Sequence, residues 1–159
     1  YMRVSADDKN WTVLRASCAL PILFQPIKIN GHYYMDGGIT DSIPFRYAFD
    51  SGIDKVIVVL TRPRGYVKRP EKLAAVVKTL YPKYPLLAEA LAARHVMYNR
   101  ETEELEQLER EGKALVLAPE KDYGIHRIEN DPKILVPFEK EGNDYALRNI
   151  EKIRYFVQN

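Results

Sequence analysis

The 159 residues contain one cysteine, Cys18, one tryptophan and three histidines. A single cysteine excludes an internal disulfide framework and a Cys-based zinc site, and it fits a reducing compartment. Long apolar runs are missing as well. The longest, such as residues 56–60, fall far short of the roughly 20 residues that span a bilayer. No transmembrane helix is expected, and no signal peptide is visible. Charge of one sign is also lacking: 24 Lys and Arg stand against 22 Asp and Glu, for a net charge of +2. That balance excludes the global positive field on which general nucleic-acid binding leans, so any basic surface must be local. There is no internal repeat and no low-complexity tract. A composition of 46% hydrophobic and 29% charged residues excludes intrinsic disorder and fits about one domain of 100 to 200 residues. The first residue is Tyr1, not Met, which leads us to expect a piece of a longer protein, with a signal peptide or another domain upstream.

What is present reads as an α/β layer. Asp7 or Asp8 can cap a helix of about ten residues through Trp11, Val13, Leu14 and Ala16, closed by Pro21. Ile27, Lys28 and Ile29, then Asn30-Gly31, then His32, Tyr33, Tyr34 and Met35 form two strand-like runs joined by a type I′ turn dipeptide. Asp36-Gly37-Gly38 follows the second strand. A helix is expected over residues 44–51, opened by Pro44 and stopped by Gly52. Residues 55–61, KVIVVLT, are a continuous β-branched run, the pattern of a parallel-sheet strand buried on both faces. Further on, a helix is expected over residues 73–80. A long helix over residues 86–111 carries Leu87, Leu91, Tyr98, Leu105 and Leu108 on one stripe and ends at Gly112. Residues 113–118 read as a strand, and residues 125–128 as extended. Ala146, Leu147, Ile150, Ile153 and Val157 mark an amphipathic closing helix.

An isolated Asp-Gly-Gly is an ordinary polar turn. Here the aspartate ends a strand, where α/β sheets place functional groups, and two glycines without Cβ let other groups approach the carboxylate. The wider run, Arg15-Ala16-Ser17-Cys18-Ala19-Leu20-Pro21, then Asn30-Gly31, then YMDGGITDSIP over residues 34–44, resembles the second catalytic segment of patatin-like phospholipases. In that family a serine in a Gly-x-Ser-x-Gly elbow attacks the acyl carbonyl, and the aspartate of an Asp-Gly motif serves as its base without a histidine. The resemblance puts that role on Asp36, with Gly37 and Gly38 shaping its turn and Ser17 and Pro21 lining the site.

The resemblance implies a three-layer patatin-like sheet. Residues 1–62 would be the C-terminal half of the catalytic domain, residues 63–85 a basic connector or insert, and residues 86–159 an α-rich appendage. The substrate class it implies is a lipid acyl ester, with no metal and no organic cofactor. None of the four serines, Ser5, Ser17, Ser42 and Ser51, sits in Gly-x-Ser-x-Gly, and no glycine-rich oxyanion segment is present. Two explanations compete: a C-terminal fragment whose nucleophile lies outside this chain, or a degenerate homologue that lost catalysis. The non-Met start favours the fragment, and the chain alone is expected to be inactive.

Other candidates carry less chemistry. His32, His95 and His126 match no metal-ligand spacing and read as structural or surface residues, His95 as a core histidine with one hydrogen bond. Cys18 reads as a small buried hydrophobe. Asp36 with Asp41 lacks the first carboxylate of the Asp-x-Asp-Gly-Thr pattern of magnesium phosphatases. Arg62, Arg64, Lys68, Arg69, Lys72, Lys78 and Lys83 stand against Glu71 alone, a local charge of +6, and Tyr66, Tyr81 and Tyr84 interleave with them. This stretch suits peripheral contact of a cytoplasmic protein with an anionic membrane. It also supports the rival reading, a non-catalytic lipid-surface or partner-binding module in which Asp36 is a structural turn.

Overall fold

The computed structural model describes residues 1, 4, 8, 10–126 and 128–159. The elements are α1 (Thr12–Ser17), β1 (Ile27–Ile29), β2 (His32–Tyr34), a 3₁₀ turn (Gly37–Ile39), α2 (Phe45–Asp50), β3 (Val56–Val59), α3 (Leu73–Leu80), α4 (Pro85–Arg110), β4 (Ala114–Leu117), α5 (Pro132–Arg148) and α6 (Ile150–Gln158). The fold is a mixed α/β arrangement in which small sheets accompany many helices.

Packing groups these elements into two units. One unit joins Tyr1–Pro44 to Lys68–Glu101, and the other joins Phe45–Val67 to Thr102–Asn159. The physical reason lies in α3 and α4. Val77, Ala88 and Leu91 form one buried cluster with Ile39, and Met35, Leu73 and Leu87 pack against it. The segment around Asp36 therefore shares a core with α3 and α4. Burial of each large side chain in such a cluster stabilises by roughly 1.5–3 kcal/mol.

In the first unit, the β1–β2 hairpin forms as the turn dipeptide requires. Asn30 and Gly31 have φ of 50° and 86°, the two positive values of a type I′ turn, and Ile27 pairs with Tyr34 while Ile29 pairs with His32. The Asp8 carboxylate accepts hydrogen bonds at 3.0 Å from the N–H groups of both Thr12 and Val13. The Val13 contact, followed by the Thr12 one, holds this carboxyl below its usual pKa range. Asp7 lies outside the described residues. Helix α1 covers six residues instead of about ten. Trp11 adopts a left-handed conformation at its start, and Cys18 ends it ahead of Pro21.

In the second unit, β3 and β4 pair in parallel with Val56 opposite Ala114 and Val59 opposite Leu117. The expectation that β3 is buried on both faces is corrected: Val58 is buried, but Val59 is 73% exposed and Ile57 is 40% exposed. Among the described residues β3 has β4 as its one strand neighbour, and its Ile57–Val59 face is only partly covered. The single closing helix expected from residue 146 onward is two helices. Asp131 caps α5 by accepting from Lys133 N–H, Pro132 occupies its first turn, and Asn149 separates it from α6. No strand forms over residues 125–128 among those described, and Arg127 lies outside them.

Candidate active site

Asp36 is fixed through both its backbone and its side chain. Its N–H donates to Ala19 O at 2.9 Å, just beyond α1. Its Oδ1 accepts the Gly38 N–H at 2.7 Å, which caps the 3₁₀ turn. Among the described residues only Oδ1 is so engaged, leaving Oδ2 open to a further partner. The carboxylate is half-buried and lines a cavity of about 1110 Å³, above the usual range of about 300–1,000 Å³ for small-molecule sites. Apolar and aromatic side chains such as Val13, Ile29, Tyr34, Met35 and Leu87 supply much of its wall. The chemistry this allows is proton acceptance by a carboxylate beside space for a long apolar group.

Gly38 is the tightest point of the turn. A Cβ placed there would lie 3.0 Å from Asp36 Oδ1 and 3.6 Å from Arg94 Nη2, whereas one on Gly37 would meet Ser17 Oγ at a comfortable 4.0 Å. The Gly38 carbonyl accepts from Arg94 Nε at 2.6 Å and from Ser42 Oγ at 2.9 Å. Arg94 Nη1 donates to Glu71 Oε1 at 3.1 Å, and the same oxygen pairs with Lys68 Nζ at 2.7 Å. The Lys68 backbone is held reciprocally by the Asn99 side-chain amide. Farther along α4, Glu101 Oε2 accepts the Ile43 N–H at 3.2 Å.

Of the residues expected at the site, Asp36, Gly37, Gly38 and Ser17 line this cavity, while Pro21 is buried away from its wall. Arg94, Glu71 and Glu101 were not foreseen. A signal for two of them existed: residues 87, 91, 94, 98, 101, 105 and 108 form one helical stripe, apolar or aromatic except at Arg94 and Glu101. Charged groups in such a stripe require partners.

The remaining candidates resolve simply. Cys18 is exposed, not a buried hydrophobe, because α1 stops at Ser17 and leaves it on the following turn. His95 is half-buried, and its Nδ1 lies 2.9 Å from Ala92 O within its own helix. No group of three potential metal-ligating side chains occurs among the described residues, and no helix described is long and apolar enough to cross a membrane. In the basic stretch, Arg62 pairs with Asp122, Arg64 with Glu109, and Lys68 with Glu71. The stretch divides between the two units at Val67.

Residues 3–49 match the model of the patatin-like phospholipase family, the segment that contains Ser17 and the Asp36 turn. Residues 84–158 match a domain of unknown function, DUF6363. A curated relative, "Uncharacterized protein YjjU" of Escherichia coli (strain K12), is 35% identical over 65 residues, which is 40% of this chain and 18% of the relative. The chain thus spans less than a fifth of that relative's length. No solved structure matches significantly.

Proposed function

We propose that this chain carries the base-bearing part of a serine acyl hydrolase that acts on lipid acyl esters, with Asp36 as the general base and the serine supplied from outside residues 1–159. The observation that carries the reading is the Asp36 carboxylate, held through one oxygen by Gly38 N–H in a large, mainly apolar cavity. In this mechanism the serine hydroxyl transfers its proton to the free oxygen of Asp36 as it attacks the acyl carbonyl. The proton then passes to the departing alkoxide, leaving an acyl-enzyme. Water attacks that ester, again giving its proton to Asp36, which passes it to the departing serine oxygen, so that a free fatty acid and the regenerated serine result. Because nucleophile and base act as a unit, residues 1–159 alone hydrolyse no ester above background.

The same reading places β3 and β4 within a larger three-layer sheet. Parallel strands ordinarily have both faces covered, and the exposure of Ile57 and Val59 supports further layers there. A peripheral contact with anionic lipid falls to Arg69, Lys72, Lys78 and Lys83. All four are exposed and free of ion pairs among the described residues, whereas the other three bases are matched by carboxylates. The rival non-catalytic module loses those three charges and leaves the cavity at Asp36 without a role. The test is release of fatty acid from phospholipid vesicles by the full-length protein and by residues 1–159 in parallel. Activity in the former alone supports the proposal. Activity in the isolated chain, or none in the full-length protein on any acyl ester, overturns it.

A further inference from the structure

We infer that Arg94, anchored by Glu71, is a positioning residue that sets the base by holding the turn at Gly38. The inference rests on the assignment of Asp36 as base. Residue 38 is gripped at both of its polar backbone groups: its N–H donates to Asp36 Oδ1 at 2.7 Å and its carbonyl accepts from Arg94 Nε at 2.6 Å. Moving residue 38 therefore moves the donor that orients the carboxylate. The Arg94 contact is charge-assisted, and such bonds are roughly twice as strong as neutral ones.

The guanidinium is itself held in place. Its side chain is only 19% exposed, and its second nitrogen reaches Glu71, which is 21% exposed. Glu71 shares the same carboxylate oxygen with Lys68. A fork of two differently directed N–H donors is what an arginine offers and a lysine does not. Gly38 completes the fit, because a Cβ there would crowd Asp36 Oδ1 at 3.0 Å and reach Arg94 Nη2 at 3.6 Å. An arginine in a largely apolar stripe, spending one donor on a glycine carbonyl two residues past the base, is more than a surface ion pair.

The test uses the full-length protein and a soluble p-nitrophenyl ester. Arg94→Met removes both donors at similar length, and Glu71 keeps Lys68 as its partner, so no carboxylate is stranded. A base displaced by about 1 Å can cost on the order of 100-fold. Arg94→Met should therefore lower kcat by about 10- to 100-fold with little change in KM, and Glu71→Gln should lower it less. In an Asp36→Asn background, Arg94→Met should cause no further loss, because its effect passes through the base. A kcat within about twofold of wild type, or an equal loss in both backgrounds, overturns the inference and leaves the role of Asp36 standing. An Asp36→Asn protein that keeps more than about a third of its rate overturns that role instead. Should Arg94→Met fail to fold by circular dichroism, Glu71→Gln is read alone: an unchanged kcat counts against the inference and a selective loss of kcat supports it.

Discussion

Glu101, 1% exposed, accepts a hydrogen bond from the backbone N–H of Ile43 at 3.2 Å. It ties α4 to the end of the segment that begins at Asp36. A buried carboxylate is costly without partners, so this contact gives the charge a reason to sit in the helix's apolar stripe. Glu101→Ala should leave the Ile43 N–H unsatisfied, at a cost of about 1–3 kcal/mol. For a chain of this size each kcal/mol lowers Tm by roughly 2–4 °C. Thermal denaturation should show that loss, with a smaller one for Glu101→Gln, which keeps an acceptor. Equal Tm values for all three proteins would show that the contact contributes nothing.

The two glycines of the turn should respond differently. The added methyl of Gly38→Ala meets Asp36 Oδ1 at 3.0 Å and must displace it, while that of Gly37→Ala enters ordinary contact with Ser17. Ester hydrolysis by the full-length protein should fall further for Gly38→Ala than for Gly37→Ala. The reverse order would place the crowded face of the turn elsewhere.

The Arg64–Glu109 pair gives the second unit an acid-sensitive element. Hydrogen bonds from Arg64, then from the Val116 N–H, hold the Glu109 carboxyl below its usual pKa range. A carboxylate depressed in the folded state contributes stability above its unfolded pKa of about 4.3, and that contribution is lost as pH falls through the lower folded value. Arg64 is about half exposed, so screening limits the pair to about 0.5–1 kcal/mol. Glu109→Gln should lower Tm at pH 7 and converge with wild type at strongly acid pH. A difference that persists unchanged below that range would assign the loss to packing.

Charge reversal of Arg69, Lys72 and Lys78 should weaken binding to anionic vesicles at low salt, since each well-placed base contributes about 1 kcal/mol near such a surface. Co-sedimentation with anionic and neutral vesicles at two salt concentrations reads this out. Equal binding to both lipids, or binding indifferent to salt, would mark these bases as solvated.

Much of the first unit was legible in the sequence because its signals are local. Asn30-Gly31 dictates the hairpin, and the Asp36 turn follows it directly. Helix α4 was legible from its stripe, but the partners of Arg94 and Glu101 lie 56 and 58 positions away, beyond the reach of periodicity. The run of β3 foretold a parallel strand, yet an unbroken apolar run cannot say which face is covered. Pro137 inside α5 obscured a helix whose Asp131-Pro132 start is itself a helix signal. The division into two units was hidden because α4 passes through both without a break.

The most direct test of the account is kcat for ester hydrolysis by full-length protein carrying Asp36→Asn. The amide is nearly isosteric and can still accept the Gly38 N–H, but it cannot take the serine proton. General-base catalysis is worth about 100- to 10,000-fold, or roughly 3–5.5 kcal/mol of barrier. The account predicts a folded protein with a loss in that range, and a normally folded variant that retains more than about a third of the wild-type rate would contradict it.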